Sequence, residues 1–162
     1  MKINVIIVGS GSHAAELRDY INHNNQARPN EIIEVKGYID DDQKSYKHYG
    51  FTEPFLGQIK DHVVVKDCKY LMGIANLDYR ERIIELLESK GAEFIGLIHP
   101  TAIISPTAEI HPTTVVSHNA SVGAKVKVGK YNLLNSRCTI GHDSVIGDLN
   151  FISPQAAISG FT

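Results

Sequence analysis

The chain has 162 residues, of which 18 are acidic and 16 are basic, so the net charge at pH 7 is −2. This balance gives no broad positive field for nucleic acid or an anionic membrane surface, and no apolar run approaches the roughly 18 residues that a membrane span needs. Two cysteines, Cys68 and Cys138, are too few for a disulfide framework, so we expect a globular protein of the reducing cytoplasm.

The first part of the chain alternates patterns that are typical of strands and helices. In order, it predicts a strand over residues 3–8, a helix from Ser12, strands over 32–39 and 69–74, a helix over 78–90, and a strand over 94–98. Gly91 is the expected stop of the second helix. Strand–helix–strand alternation predicts a small parallel α/β domain. Three histidines in polar contexts are expected to be solvated: His23, His48 and His62.

From Ile98 onward the pattern changes to a strict period of six. Every sixth residue is a branched aliphatic: Ile98, Ile104, Ile110, Val116, Val122, Val128, Leu134, Ile140, Ile146, Ile152 and Ile158. Four residues after each aliphatic lies a mostly small or compact side chain. This is the hexapeptide signature of a parallel β-helix, in which three hexads close one triangular coil of about 18 residues. An ordinary antiparallel β-domain, whose alternation has period two, is the alternative.

The hexad register also predicts which side chains can meet. Residues about 18 apart stack on one face, so Asn132 and Asn150 should form a structural asparagine ladder. The histidine pairs that share a register position do not stack, because their members lie on different faces: His118 with His142, and His99 with His111. A histidine metal cluster within one chain is therefore disfavoured, and no metal is expected.

A glycine-rich turn joins the first predicted strand to the first predicted helix. The sequence Gly9-x-Gly11-x-x-Ala14 can bring backbone amides and the positive helix end close to a phosphate, although a tight structural turn has the same signature. Asp40 and Asp41 end the second strand, where carboxylates can accept hydrogen bonds from a ribose or base, or can form a solvated acidic turn. Together the two features favour a nucleotide-type ligand. A redox dinucleotide is disfavoured, because the segment before the hexads is short for a two-halved dinucleotide fold.

Motifs are spread over both parts of the chain: residues 7–14, 37–41 and 55–57, Asn135, and Gly141-His142-Asp143. Together they resemble the sialic-acid O-acetyltransferase and nucleotide-sugar N-acetyltransferase family, over essentially the whole chain. The hexads alone would indicate only the broad acyltransferase superfamily. The resemblance implies a Rossmann-like sugar-nucleotide-binding domain over 1–97 and a left-handed parallel β-helix over 98–162. It also implies a homotrimer that holds acetyl-CoA between neighbouring subunits, with no metal.

The resemblance also assigns a substrate site to the first domain. Its residues would be Gly9, Ser10, Gly11, Ser12, His13, Asp40, Asp41 and Ala75. The glycine-loop residues would contact the substrate, and the two aspartates would lie on the nucleobase side. Ala75 departs from the glycine that family members often carry near the substrate, and its methyl group would narrow the pocket.

The second domain would carry the chemistry. Transfer of an acetyl group from a thioester needs a base that takes the nucleophile's proton, and histidine suits that role near neutral pH. By resemblance, His142 is this base, Asp143 supports its protonated form, and Asn135 lies near the same site. The alternative for His142 is a surface histidine in a polar turn. Cys138 falls at a small inward position, so we expect core packing and direct transfer, without an acyl-cysteine intermediate.

The end of the chain departs from the family pattern. Residues 98–162 would form about three and a half coils, fewer than in family members, so we expect a β-helix and a donor site that are truncated at the C-terminus. Phe151 stands where one branch of the family has a histidine that contacts the cofactor, and Gly160 is expected on the same acetyl-CoA side.

Three functional hypotheses follow from these patterns. The first is acetyl-CoA-dependent acetylation of an amino sugar on a nucleotide, or of a sialic-acid-type sugar. The second is a sugar-nucleotide-binding or assembly protein that lacks transferase activity because its C-terminal coils are missing. The third, indicated only by the glycine loop, is a nicotinamide-dependent enzyme.

Overall fold

The computed structural model describes residues 1–162, which form two compact units, Met1–Ile95 and Gly96–Thr162. The chain passes from one unit to the next two residues before the boundary expected from the hexads. The assignment of sugar-nucleotide binding and acyl transfer to the two parts stays a prediction. None of the helices is both long enough and apolar enough to cross a membrane.

The first unit is a four-stranded parallel sheet with three helices. Its elements are, in order, β1 (Lys2–Val8), α1 (Ser12–Ala27), β2 (Ile32–Ile39), α2 (Gln43–Tyr49), β3 (Lys69–Met72), α3 (Leu77–Ser89) and β4 (Phe94–Ile95). The strands lie in the order β2-β1-β3-β4, and every pairing is parallel. The inner strand β1 is buried from Val5 to Val8, as in sheets that are covered on both faces. This arrangement confirms the predicted parallel α/β domain.

The carboxyl ends of β1, β2 and β3 meet at one edge of the sheet. The N–H of Gly9, just after β1, donates to Ile39 O at 2.7 Å. The N–H of Gly73, just after β3, donates to Val8 O at 2.7 Å. Ligands of parallel α/β sheets bind at this edge. The fold therefore brings the glycine-rich turn, Asp40 and the loop after β3 to the place where a binding site is expected.

Helix α2 is absent from the sequence-based prediction. The segment Gln43–Tyr49 contains no apolar stripe, and none of its residues is buried. Asp42 begins the helix by accepting the N–H of Lys44 on its side chain at 2.9 Å, and Gly50, with φ 60°, ends it. The capping residues at its two ends, Asp42 and Gly50, therefore specify α2 more than the packing of its side chains does.

The predicted strand over 94–98 is interrupted at Gly96. β4 ends at Ile95, and Leu97–Ile98 forms a separate strand in the second unit. The N–H of Gly96 donates to Pro112 O at 2.6 Å, and a Cβ here would lie only 1.9 Å from the carbonyl oxygen of Thr114. Close backbone packing inside the second unit therefore ends the continuous strand that the apolar run predicts.

The expectation that His62 is solvated is wrong. Its side chain is buried, and Nε2 lies 2.7 Å from the Tyr70 hydroxyl, which also accepts the N–H of Val65 at 3.0 Å. The Tyr70 hydroxyl thus contacts both the imidazole and the backbone of the loop before β3. His23 and His48 are exposed, as expected.

The second unit consists of eleven two-residue strands at intervals of six residues: β5 (Leu97–Ile98), β6 (Ile103–Ile104), β7 (Glu109–Ile110), β8 (Val115–Val116), β9 (Ser121–Val122), β10 (Lys127–Val128), β11 (Leu133–Leu134), β12 (Thr139–Ile140), β13 (Val145–Ile146), β14 (Phe151–Ile152) and β15 (Ala157–Ile158). They form three parallel sheets, β14-β11-β8-β5, β15-β12-β9-β6 and β13-β10-β7. The structure therefore confirms the parallel β-helix and contradicts the antiparallel alternative. Its left-handed sense stays a prediction.

Residues that pair between coils are 18 apart, as in Val128 with Ile146. The second residue of each strand is the predicted aliphatic, and these side chains stack into a common core with Cys138 among them. Cys138 is fully buried, which confirms its predicted place in the core.

The predicted asparagine ladder is present. Asn132 is fully buried, and its Nδ2 donates to Gly147 O at 2.7 Å. Its Oδ1 accepts the backbone N–H of Asn150 at 2.7 Å and the Nδ2 of Asn150 at 3.1 Å. One asparagine thus satisfies polar groups of the coil above it, which is why a polar side chain is tolerated inside the coil.

Replacing Asn132 by alanine should destabilise the coil, because the Gly147 carbonyl and the Asn150 N–H lose their partner. Unsatisfied groups of this kind lead us to expect a loss of about 2–3 kcal/mol in the free energy of unfolding, measured in urea. Asn150→Ala is the matched control, because it leaves the backbone bond to Asn132 Oδ1 in place and should cost about 1 kcal/mol. Equal losses of unfolding free energy in Asn132→Ala and Asn150→Ala would contradict the conclusion that Asn132 contributes more to the ladder than Asn150 does.

Stability should fall in mild acid because of His62. Burial, together with the positive charge of Lys90, lowers the pKa of His62 below its ordinary value of 6.5. The unfolded chain then binds the proton more readily, so this contribution is complete above about pH 6.5 and is lost as the pH falls through the lower folded pKa. Thermal unfolding at pH 7.5 and 5.5 should show a smaller decrease for His62→Gln than for the unmodified chain. Exposed His48→Gln is the control, and identical decreases for all three proteins would refute the assignment.

Candidate functional site

The carboxylate of Asp40 holds the turn between β1 and α1 in place. Ser10 is fully buried, and its backbone N–H and its hydroxyl both donate to Asp40 Oδ2, at 2.7 and 2.8 Å. The other oxygen of Asp40, Oδ1, accepts the N–H of Asp42 at 3.0 Å. Asp40 therefore holds the shape of the glycine loop, and both of its oxygens are engaged within the chain.

The N-terminus of α1 is open to an anion. Its N-cap is Gly11, which has no side chain to accept the first N–H groups, and the first turn contains no acidic residue. Such groups carry the positive end of the helix dipole. His13 in this turn is only 8% exposed, and its Nε2 has no hydrogen-bond partner. A buried, unpartnered imidazole nitrogen beside free amides fits phosphate oxygens.

The remaining predicted substrate residues lie along the same sheet edge. Gly9 has φ 99°, and a Cβ there would lie 2.6 Å from Ile74 Cγ1, so the turn and the loop after β3 approach closely. That loop carries Ala75, which is half-buried. Asp41 is exposed, and its Oδ1 accepts the N–H of Ile59 at 3.0 Å. The first unit thus gathers the predicted substrate residues at one edge, while their contacts with a ligand stay a prediction.

Arg80 belongs to this region, although the sequence reasoning does not single it out. It lies on α3, is 2% exposed, and donates from Nη1 to Ile74 O at 2.7 Å. Burial lowers the pKa of the guanidinium to about 10, which leaves it positively charged at neutral pH. The signal in the sequence is its spacing, because Arg80 shares the apolar stripe of α3 with Ile84 and Leu87.

His142 lies in the turn that follows β12. Its Nδ1 is 2.9 Å from Asp143 Oδ2, and the side chain is 59% exposed. Because the carboxylate accepts from Nδ1–H, Nε2 is left with its lone pair. Asp143 has φ 59°, a left-handed conformation that aspartate adopts more readily than most residues. The turn therefore presents an oriented imidazole that is able to take a proton.

A groove of about 570 Å³ lies beside His142 on the β6-β9-β12 face. Its walls are largely apolar, and they include Ile103, Pro106, Val122, Ala124, Ile140 and His142. An apolar groove that ends at a base fits a thioester substrate with a long, flexible arm.

Asn135 and His142 lie on different faces of the coil. Asn135 follows β11, and its Oδ1 accepts the N–H of Ser136 at 2.7 Å, whereas His142 follows β12 in another sheet. Phe151 opens β14 and pairs with Leu133 of β11, on the Asn135 face. Gly160 lies against the His142 ring. Within one chain, the structure therefore groups Gly160 and Asp143 with His142, and places Asn135 and Phe151 elsewhere.

Comparison with known proteins finds one matching family model and several similar proteins. Residues 4–87 match the family model described as the PglD N-terminal domain. UDP-N-acetylbacillosamine N-acetyltransferase of Bacillus subtilis (strain 168) is 30% identical over 105 residues, which are 65% of this chain and 47% of that protein. The chain thus spans about half the length of this curated relative.

Two solved structures share the fold. The acetyltransferase domain of PglB from Neisseria gonorrhoeae, in complex with acetyl coenzyme A, has a TM-score of 0.75 and 22% identity, and the match covers 97% of this chain and 73% of that one. Perosamine N-acetyltransferase from Caulobacter crescentus, in complex with CoA and GDP-perosamine, has a TM-score of 0.78 and 18% identity, covering 97% and 71%. At these identities the likeness shows the fold of the chain.

Removing the Asp40 carboxylate should release the glycine loop. In Asp40→Ala the buried N–H of Ser10 loses a charge-assisted bond, and we expect its hydrogen exchange to accelerate about tenfold or more, as measured by NMR. Asp42→Ala is the control, because the Asp42 side chain accepts only the N–H of Lys44 at the start of α2. An unchanged hydrogen-exchange rate at the Ser10 N–H in Asp40→Ala would contradict this role of Asp40.

Proposed function

Because the chain belongs to the PglD N-terminal domain family, we propose that it acts as an acetyl-CoA-dependent N-acetyltransferase on an amino sugar carried by a nucleotide. The observation that carries the proposal is the His142–Asp143 pair at the end of an apolar groove. The relatives are named as N-acetyltransferases of nucleotide-linked amino sugars, and these names favour nitrogen as the atom that is acetylated. A hydroxyl of a sialic-acid-type sugar is the second acceptor class that the same base could serve.

The first unit binds the nucleotide in this proposal. The open first turn of α1 and the unpartnered Nε2 of His13 support binding of the diphosphate. Asp41 lies on the nucleobase side, and Asp40 contributes by holding the loop that presents the amides. The methyl group of Ala75, close to the same edge, limits the space next to the sugar.

The second unit supplies the base. Acetyl-CoA, when bound, supplies an acetyl group activated as a thioester. As the amine nitrogen of the sugar attacks the thioester carbonyl, Nε2 of His142 takes the proton that the nitrogen loses. The new C–N bond replaces the C–S bond, CoA leaves as its thiolate, and that thiolate is then protonated. Asp143, held at Nδ1, orients the ring and stabilises its positive charge.

Direct transfer is preferred to an acyl-cysteine route. Cys138 is the cysteine of the coil, and it lies in the core with no exposed surface. Burial raises the pKa of its thiol to about 11, so the nucleophilic thiolate is scarce at neutral pH. Both cysteines are free, which fits a place in the reducing cytoplasm.

A homotrimer completes the proposed site. Asn135 and Phe151 lie on a different face from His142, so one chain alone does not bring them together. If neighbouring copies pack along the coil, the Asn135 face of one copy can approach the His142 corner of the next. Acetyl-CoA would then lie between two copies, with Phe151 and the backbone of Gly160 on its path, and the left-handed coil would set the geometry.

The decisive experiment follows thiol release from acetyl-CoA in the presence of UDP- and GDP-linked amino sugars. His142→Ala should lower the rate about 100-fold or more, because it removes the general base. His111→Ala is the control, since His111 follows β7 on the third face of the coil, which carries neither His142 nor Asn135, and its activity should stay close to that of the unmodified chain. Asp143→Asn should cost about tenfold, because the amide carries no negative charge to stabilise the protonated ring.

The outcomes separate the proposed activities. Release in the unmodified chain that does not exceed release in His142→Ala would refute the transferase. Calorimetric binding of the nucleotide sugar without thiol release would support a sugar-nucleotide-binding protein, with the compact first unit as the proposed binding domain. Binding of a nicotinamide dinucleotide in place of the sugar nucleotide would refute both.

A further inference from the structure

The coil that follows His142 holds its imidazole from two sides. Gly160 and Phe161 come one coil later, and the N–H of Phe161 donates to His142 O at 2.9 Å. The Phe161 ring meets the imidazole edge-on, with ring centroids 5.1 Å apart and an interplanar angle of 88°. With Asp143 on Nδ1, the imidazole is therefore held by a carboxylate, by an aromatic ring and by the backbone at Gly160.

A side chain at Gly160 would collide with this ring. An ideal Cβ at this position would lie 2.9 Å from Nε2 and 3.0 Å from Cε1 of His142. Carbon atoms in favourable contact lie about 3.5–4.0 Å from their neighbours, so the methyl group of an alanine would overlap the Nε2–Cε1 edge. The ring occupies its observed position because residue 160 has no side chain.

The backbone conformation itself does not require glycine at position 160. Its φ lies outside the left-handed region, in contrast to Gly9 with φ 99°. The same register position in the three preceding coils of this face holds Pro106, Ala124 and His142, which all carry a Cβ. Among these stacked positions, only residue 142 places a large side chain against the next coil. The requirement for glycine at position 160 therefore comes from the imidazole of His142.

The backbone on both sides of Gly160 is hydrogen-bonded to the preceding coil, because the N–H of Gly141 donates to Ile158 O at 2.8 Å and the N–H of Phe161 donates to His142 O at 2.9 Å. A Cβ at Gly141 would lie 2.4 Å from Gly160 N, which shows how closely the two turns pack. The imidazole, on a flexible side chain, is the group that would move. Displacement of the ring would weaken its hydrogen bond to Asp143 and shift Nε2.

We propose that Gly160 is a positioning residue for His142, because its missing side chain leaves the space in which the imidazole is held with Nε2 available to the acceptor. The inference rests on the proposed role of His142 as the base, and it gives Gly160 a function distinct from any contact with acetyl-CoA. A displacement of about 1 Å at a catalytic group can lower a rate about 100-fold.

Gly160→Ala tests the proposal, with Gly147→Ala as the matched control, since a Cβ at Gly147 meets open space. We expect kcat to fall about 30-fold or more in Gly160→Ala, while the Kd for acetyl-CoA changes by less than about threefold. The Cε1–H resonance of His142 in NMR spectra should shift in Gly160→Ala and stay in place in Gly147→Ala. A rise in the acetyl-CoA Kd that matches the lost rate, with an unshifted His142 resonance, would overturn the positioning role.

The NMR measurement separates this inference from the proposed function, because it needs no turnover. If the unmodified chain has no transferase activity, the proposed function fails, yet the resonance still reports whether the methyl group displaces the ring. If Gly160→Ala loses stability, the same substitution in a His142→Ala background decides, because the two ring contacts are then gone and the approach to the carbonyl oxygen of residue 142, at 3.2 Å, is what remains. Full recovery of stability in the double variant supports the proposal, and an undiminished loss refutes it.

Discussion

The second unit depends on hydrogen bonds between successive coils. A strand of two residues cannot be stable alone, and here each strand pairs with residues 18 positions away, as Thr139 does with Ala157. This pairing fixes the register, so each paired residue lies against the residue 18 positions away in the neighbouring coil. The asparagine ladder and the His142–Gly160 contact are two results of the same constraint, one structural and one at the proposed site.

The strict period explains why the fold of this unit could be predicted almost completely. An aliphatic at every sixth residue determines the strands, and three hexads per coil determine which residues pair. In the first unit the apolar patterns predict β1, α1, β2 and α3 well. They fail where other forces decide: α2 is specified by Asp42 and Gly50 at its ends, and the strand over 94–98 is broken by backbone packing at Gly96.

The candidate site was predictable to the extent that topology determines it. The carboxyl ends of parallel strands share an edge, so Gly9 and Asp40 had to come together. Arg80 was not predicted although its spacing puts it on the apolar stripe of α3, and His62 was not predicted because its burial depends on tertiary contacts that no local pattern contains. The separation of Asn135 from His142 follows from their spacing of seven residues, which exceeds one hexad and moves the chain to the next face.

In the proposed function, the first unit recognises its nucleotide through hydrogen-bond donors. Both carboxylate oxygens of Asp40 accept hydrogen bonds from within the chain, from Ser10 and from Asp42. Its negative charge therefore faces these two residues and does not face the space that a ligand would occupy. The groups left for a ligand are the first-turn amides of α1, which donate hydrogen bonds, and Nε2 of His13, which donates in the tautomer that carries its proton there. A set of donors at the positive end of a helix favours an anion with several acceptor oxygens over a neutral sugar. The diphosphate would therefore supply most of the affinity, and the sugar beyond it would be chosen by shape, where the methyl group of Ala75 takes up space.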